Sequence, residues 1–215
     1  MLLFLINAFN VKNYLLFARY TIKKGCKMTA DKVVVGLAGM PGAGKSVVVA
    51  IAKGSGYGVV VMGDVVREEA KKRHLEPSPE DLGKIMLELR QKEGRSVIAK
   101  RCIPKIEKAQ EQKIIVDGIR SLNEVEQFKG HFPKFTLIAI HSSPETRFKR
   151  LYRRKRSDDP KDWQIFKERD QRELSVGLGE AITMAEYKIV NEGEKAVTKE
   201  KIKEILKKVE EKWMK

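Results

Sequence analysis

The residues Gly39-Met40-Pro41-Gly42-Ala43-Gly44-Lys45-Ser46 have the spacing G-x-x-x-x-G-K-S, in which every fixed position of a phosphate-binding loop is filled. Glycines let a backbone approach an anion closely, so that successive N–H groups point at it, and a helix starting there adds partial positive charge. Lys45 would reach the β- and γ-phosphates of a nucleotide. The Ser46 hydroxyl would hold Mg²⁺, and the cradle would run from Gly39 to Val47.

Five further groups could take part. Asp117 closes the apolar run Ile114-Ile-Val-Asp117. In a chain with a phosphate loop, such a carboxylate can sit opposite the loop and hold Mg²⁺ directly or through water; otherwise it is a strand-end turn residue. Arg120, three residues on, is placed to fork onto a phosphate of a second substrate. Arg67 follows Asp64 at the start of a helical stretch. A cation there opposes the helix dipole; an anionic ligand shared with that N-terminus would explain it, and the alternative is a chance surface arginine. Asp64 reads either as a helix N-cap or as a general base, needed only if the phosphate acceptor is a hydroxyl. Finally, Arg147-Phe-Lys-Arg-Leu-Tyr-Arg-Arg-Lys-Arg156 holds seven basic residues in ten. Phe148, Leu151 and Tyr152 recur at helical spacing and are expected to face the core, while Arg147, Arg150 and Arg154 share another face. These arginines could close over a transferring phosphoryl group, with Arg169 and Arg172 in the next helix as further candidates. The alternative is a solvated or nucleic-acid-binding basic helix.

The elements that must position these groups follow from apolar patterning. Val33–Leu37, Val59–Met62, Ile114–Asp117, Thr136–Ile140 and Tyr187–Val190 are short β-branched runs alternating with helical stretches. They predict an α/β protein with the three-layer P-loop NTPase fold: a five-stranded parallel sheet with helices on both faces. Ser78-Pro79-Glu80-Asp81 is a helix start, and Gly94 a helix stop. The helical excursion between the second and third strands exceeds a simple crossover and is expected to form an acceptor-binding flap. Thr198 is read as the cap of a final amphipathic helix carrying Ile202, Ile205, Leu206, Val209 and Trp213.

With 215 residues, the chain can bury one sizeable core, and its net charge of +15 suits anionic partners. Residues 1–27 hold five basic residues and no acid, so the remainder carries +10. Their longest apolar run, Met1–Ile6, falls far short of the ~20 residues that span a bilayer. Met28 stands just before the first strand, and residues 1–27 are expected to be an N-terminal extension arising from an over-long start assignment, with 28–215 as the kinase-like domain. Cys26 and Cys102 have no metal or disulfide spacing, which places the protein in a reducing cytoplasm. No membrane partner is expected, and oligomeric state is left open.

In order, Gly39–Ser46, Gly63-Asp-Val-Val-Arg67, Val116-Asp-Gly-Ile-Arg120 and Arg156-Ser-Asp-Asp159 resemble the motifs of adenylate kinase and related nucleoside monophosphate kinases. The run from 33 to 193 is most similar to an archaeal group of adenylate-kinase-related P-loop proteins. The resemblance implies ATP as donor, Mg²⁺ as cofactor and a nucleoside monophosphate such as AMP as acceptor. It implies that Arg67 and Arg120 bind the acceptor phosphate, with Arg156 and Arg169 as lid arginines. The chain departs from the adenylate kinase pattern Asp-Gly-Phe-Pro-Arg in having one residue fewer before Arg120. Its ending, Ala185 to Gly193, is closer to dephospho-coenzyme A kinases, where an Asn-x-Gly turn like that at Asn191 lies near the adenine. That family phosphorylates a hydroxyl. A nucleotide-dependent, RNA-associated binding protein with weak ATPase activity is the third reading, with nucleic acid not favoured.

Overall fold

The computed structural model describes residues 31–75, 78–156 and 159–214. The expectation for residues 1–27 falls outside them. Five strands form one parallel sheet in the order β2-β3-β1-β4-β5: β1 (Val33–Ala38), β2 (Gly58–Val61), β3 (Lys113–Ile119), β4 (Phe135–His141) and β5 (Tyr187–Val190). The helices are α1 (Lys45–Gly54), α2 (Met62–Lys72), α3 (Pro79–Glu93), α4 (Val97–Lys108), α5 (Leu122–His131), α6 (Pro144–Arg154), α7 (Trp163–Ser175), α8 (Leu178–Thr183) and α9 (Lys195–Trp213).

Strand alternation divides the core in two. Val33, Val35, Leu37 and Ile115 face α1 and α9, where Val48, Ala52, Ile202 and Leu206 meet them. Val34, Ala38, Ile114 and Val116 face α2 to α5 and α8. This split suits right-handed crossovers: β1 to β2 runs one way along the sheet through α1, and the later crossings run the other way. The β3 ladder breaks register once. Leu37 lies opposite Asp117, but Ala38 lies opposite Ile119, leaving Gly118 as the extra residue at φ 105°. Ile119 therefore joins Ile114 and Val116 in the second core half, where strict alternation would have put it with Asp117.

Several local expectations change. β2 ends at Val61, and Met62 already opens α2, with Val61 in extended conformation at the cap position. Asp64 is thus the third helical residue and not the cap; its carboxylate bonds Arg67 rather than a backbone N–H. β3 continues past Asp117 to Ile119. α9 begins at Lys195, so Thr198 lies inside it and is buried. In α6 only Leu151 of the expected trio is buried; Tyr152 is 55% exposed, and Arg147 is the side chain packed inward. The excursion between β2 and β3 is core: Val65, Ile85, Leu89, Ile98, Cys102 and Ile106 all join one cluster. Ser78 does cap α3 through the Asp81 N–H, and Gly94 ends it.

Candidate functional site

The phosphate loop sits between β1 and α1, and its carbonyls are held from outside. Arg147 Nη1 donates to Pro41 O at 3.2 Å, and Asn191 Nδ2 donates to Ala43 O at 2.8 Å. Ser142 Oγ and Arg150 Nη1 also donate to Ala43 O, at 3.2 and 3.4 Å. Among the described residues, nothing accepts from the N–H groups of Gly42, Gly44, Lys45 or Ser46. The loop therefore presents unpartnered donors at a helix N-terminus, the arrangement an anion needs. The loop glycines Gly39, Gly42 and Gly44 have no room for a side chain. A Cβ at Gly44 (φ 105°) would collide with the Asn191 amide, and one at Gly42 would lie 2.7 Å from Arg147 O.

Lys45 Nζ donates to Gly39 O at 2.5 Å and reaches Met40 O at 3.5 Å. Burial pushes its pKa down, Asp117 and Glu173 oppose that, and Arg120 and Arg169 add to it. These five groups therefore share one field. Asp117 falls on the α1 side of the sheet because Leu37 and Val61 flank it in register. Its Oδ1 is buried with no hydrogen-bond partner. Burial raises its pKa above the ordinary 3.8, while Lys45 and Arg120 pull it back and Asp64 adds to the rise. No group of three or more His, Cys, Asp or Glu gathers as a metal site among the described residues. The orphaned buried oxygen of Asp117, which shares a field with Lys45, and the exposed Ser46 that follows Lys45 are nevertheless oxygen donors of the kind that would hold a hard cation.

Past the sheet edge, Arg120 is fixed at its backbone. Ser121 caps α5 by accepting from the Glu124 N–H, and Glu124 Oε2 accepts from the Arg120 N–H at 2.8 Å. Glu124 is fully buried, and its other oxygen takes Arg90 Nη2 at 2.7 Å. The Arg120 guanidinium lies against Met86 Sδ at 3.4 Å and 3.3 Å from Glu173 Oε2. Arg67 pairs with Asp64 at 2.6 Å on an exposed surface.

The α6–α7 hairpin separates the expected lid arginines. Arg147 forks onto Asp170 (2.8 and 2.5 Å) and stacks over the Phe166 ring. Arg150 binds Ser142 Oγ and Asn191 O, at 2.8 and 2.9 Å. Both arginines, with Asn191, grip the back of the phosphate loop. Arg154 forks onto Asp159, which also accepts from the Arg156 N–H and lies 3.9 Å from Arg169. Burial works against the Asp159 carboxylate, but Arg154, the Arg156 N–H and Arg169 together hold its pKa down. The Arg156 side chain is exposed. The structure thus brings Lys45, Asp117, Arg120 and Arg169 together, sets Arg67 and Asp64 at the edge, and puts Arg150, Arg154 and Asn191 to other contacts.

Arg147→Lys is expected to cost about 1.5–3 kcal/mol of stability, because an ammonium keeps the charge but cannot bridge Asp170 and Pro41 together. Urea unfolding of the variant measures it. A cost below 0.5 kcal/mol, within the ordinary scatter of surface substitutions, would mean the fork does not brace the loop.

Sequence reasoning passed over Ser142, Glu124, Asp170 and Glu173. The first has no motif. Glu124 was signalled by the capping box Ser121-Leu-Asn-Glu124. Asp170 and Glu173 share the spacing of Phe166 and Arg169, which places all four on one face of α7.

No helix among the described residues is long and apolar enough to cross a membrane. Residues 38–167 match the AAA domain family. The fold is similar to a shikimate kinase from Acinetobacter baumannii (TM-score 0.52, 16% identity, 88% of this chain and 99% of that one). It is also similar to a gluconokinase from Sinorhizobium meliloti (TM-score 0.51, 14% identity, 85% and 95%). A UPF0200 protein of Methanothermobacter thermautotrophicus is 44% identical over 182 residues, covering 85% of this chain and 93% of its own. With that degree of identity along nearly the whole of the relative, and a P-loop kinase fold beneath it, the chain belongs to the UPF0200 family.

Proposed function

We propose that the protein is an ATP-dependent phosphotransferase that moves the γ-phosphoryl group of ATP onto the phosphate of a nucleoside monophosphate such as AMP. The observation that carries this reading is the facing pair: a loop of unpartnered N–H groups with Lys45, opposite the orphaned Asp117 oxygen, and Arg120 just beyond the strand. The loop N–H groups and Lys45 would hold the β- and γ-phosphates. Ser46 and Asp117 would hold Mg²⁺, which would offset the charge of the phosphates. Arg120, with Arg67, would orient the acceptor phosphate, whose oxygen attacks the γ-phosphorus as the bond to the β–γ bridging oxygen breaks. Arg169, already within the field of Lys45, would stabilise charge on the transferring group. A phosphate oxygen is already an anionic nucleophile and needs no base. This agrees with Asp64 being engaged by Arg67.

The test incubates the protein with Mg²⁺ and γ-labelled ATP beside AMP, CMP, UMP, GMP or dephospho-coenzyme A, with an acceptor-free control. Label in a nucleoside diphosphate supports the proposal. Label in coenzyme A would replace it with hydroxyl phosphorylation, making Asp64 the base. Free phosphate alone, indifferent to every acceptor, would discard the small-molecule kinase and turn attention to the basic α6 and a nucleic acid partner.

A further inference from the structure

Two arginine–carboxylate pairs anchor α7, and they are built differently. Arg147 and Asp170 form a closed fork: two hydrogen bonds, with both side chains largely buried (4% and 16% exposed). Arg120 Nε and Glu173 Oε2 approach to 3.3 Å without the alignment of a hydrogen bond, and Glu173 Oε2 has no hydrogen-bond partner. Glu173 is 10% exposed, whereas Arg120 is 36% exposed. A buried carboxylate is normally satisfied by hydrogen bonds, as Asp170 is. Glu173 is left with one loose cation, the same cation proposed to receive the acceptor.

We propose that Glu173 is a positioning residue of the acceptor site: its carboxylate occupies the anion position on Arg120 in the free protein and yields it to the acceptor's phosphate. The inference rests on the reading of Arg120 as the acceptor's phosphate ligand. The phosphate offers two oxygens to the guanidinium fork, where Glu173 offers one poorly aligned one. Arg120 itself does not move away, because Glu124 holds its N–H and Met86 its flank. Glu173, released, keeps a cationic neighbour in Lys45, on whose ammonium it already acts. The face of α7 that carries it also carries Asp170, tied through Arg147 to Pro41 of the phosphate loop. The acceptor's arrival is therefore felt on the helix that braces the donor loop. Competition by Glu173 lowers the acceptor's apparent affinity in proportion to the time the pair is closed.

The test measures binding of AMP, and separately of inorganic phosphate, to the full chain by calorimetry without a donor. Glu173→Gln keeps the shape and removes the competing charge, so both anions are expected to bind about two- to fivefold more tightly, with a matching fall in the acceptor's KM. A merely structural Glu173 predicts the opposite sign, an unchanged or weakened affinity with a lower melting temperature, and that result overturns the proposal. Binding of AMP to the natural protein with no tightening in Glu173→Gln overturns this inference alone. No binding of either anion to either protein overturns it together with the acceptor reading. Should Glu173→Gln not fold, Glu173→Asp, with its carboxylate drawn back by one methylene, is held to the same tightening.

Discussion

Lys45→Met should reduce phosphoryl transfer by about 10²–10³-fold while leaving the protein at least as stable as before. The ammonium is held in a buried position that depresses its pKa, with only the loop carbonyls of Gly39 and Met40 for hydrogen bonds. Its favourable work would come when negative charge spreads over the γ-phosphoryl group. Methionine fills a similar volume and removes the desolvated charge, which offsets the loss of the ammonium's attraction to Asp117 and of its loop hydrogen bonds. Single-turnover rates and thermal unfolding of the same preparation decide the matter. A rate loss that comes with a fall of many degrees in melting temperature would make Lys45 a scaffold residue instead.

Asp117→Asn is the second large effect, and its two consequences have opposite signs. An unpaired buried carboxylate is a liability in the free protein, so the neutral amide should stabilise it by roughly 1 kcal/mol. The same change removes the proposed Mg²⁺ ligand and should weaken the apparent affinity of the reaction for Mg²⁺ by at least 10–100-fold, the scale seen for lesser metal-site partners. The stability difference also carries a pH signature. Because burial raises the folded-state pKa above the ordinary 3.8, the natural protein gains stability from protonation as pH falls through that raised value, and the gain is complete below 3.8. The advantage of Asp117→Asn should therefore be full at neutral pH and vanish in acid. Melting curves from pH 7 downward test this. A difference independent of pH would mean that Asp117 titrates alike in the folded and unfolded protein, with no effect of burial.

What could be read from residues alone follows a physical line. The phosphate loop and five strands are local patterns: a fixed glycine spacing, and β-branched runs short enough to be buried on both faces. The helix start at Ser78 was legible for the same reason. Thr198, read as a cap, and Asp64, with a cap as one of its two readings, fall elsewhere because a good capping residue marks only a place where a helix can begin. The chain instead enters α2 straight from Val61 and α9 from Glu194, so the two polar residues fall inside helices. The pairs Arg147–Asp170, Arg90–Glu124 and Arg120–Glu173 join residues 23, 34 and 53 positions apart. Charge at such separation has no local signature. For that reason Arg147 and Arg150 read as equivalent members of a basic face, when packing makes one a buried brace and sets the other across the loop carbonyls.

The extra residue in β3 has a further consequence, for how the chain tolerates changes in length. Asp117-Gly118-Ile119-Arg120 reads like a short turn, the kind of segment where insertions and deletions usually do little harm. Here Gly118 is looped out of the ladder, which keeps Ile119 opposite Ala38 while Asp117 stays opposite Leu37. Were Gly118 drawn into the ladder as a paired residue, Ile119 would turn to the α1 side. Deleting it would instead leave Asp117 and Ile119 facing as they do now, in regular pairing with β1. The segment therefore holds one residue that the ladder does not need, and what must be preserved there is the facing of Asp117 and Ile119 rather than the number of residues.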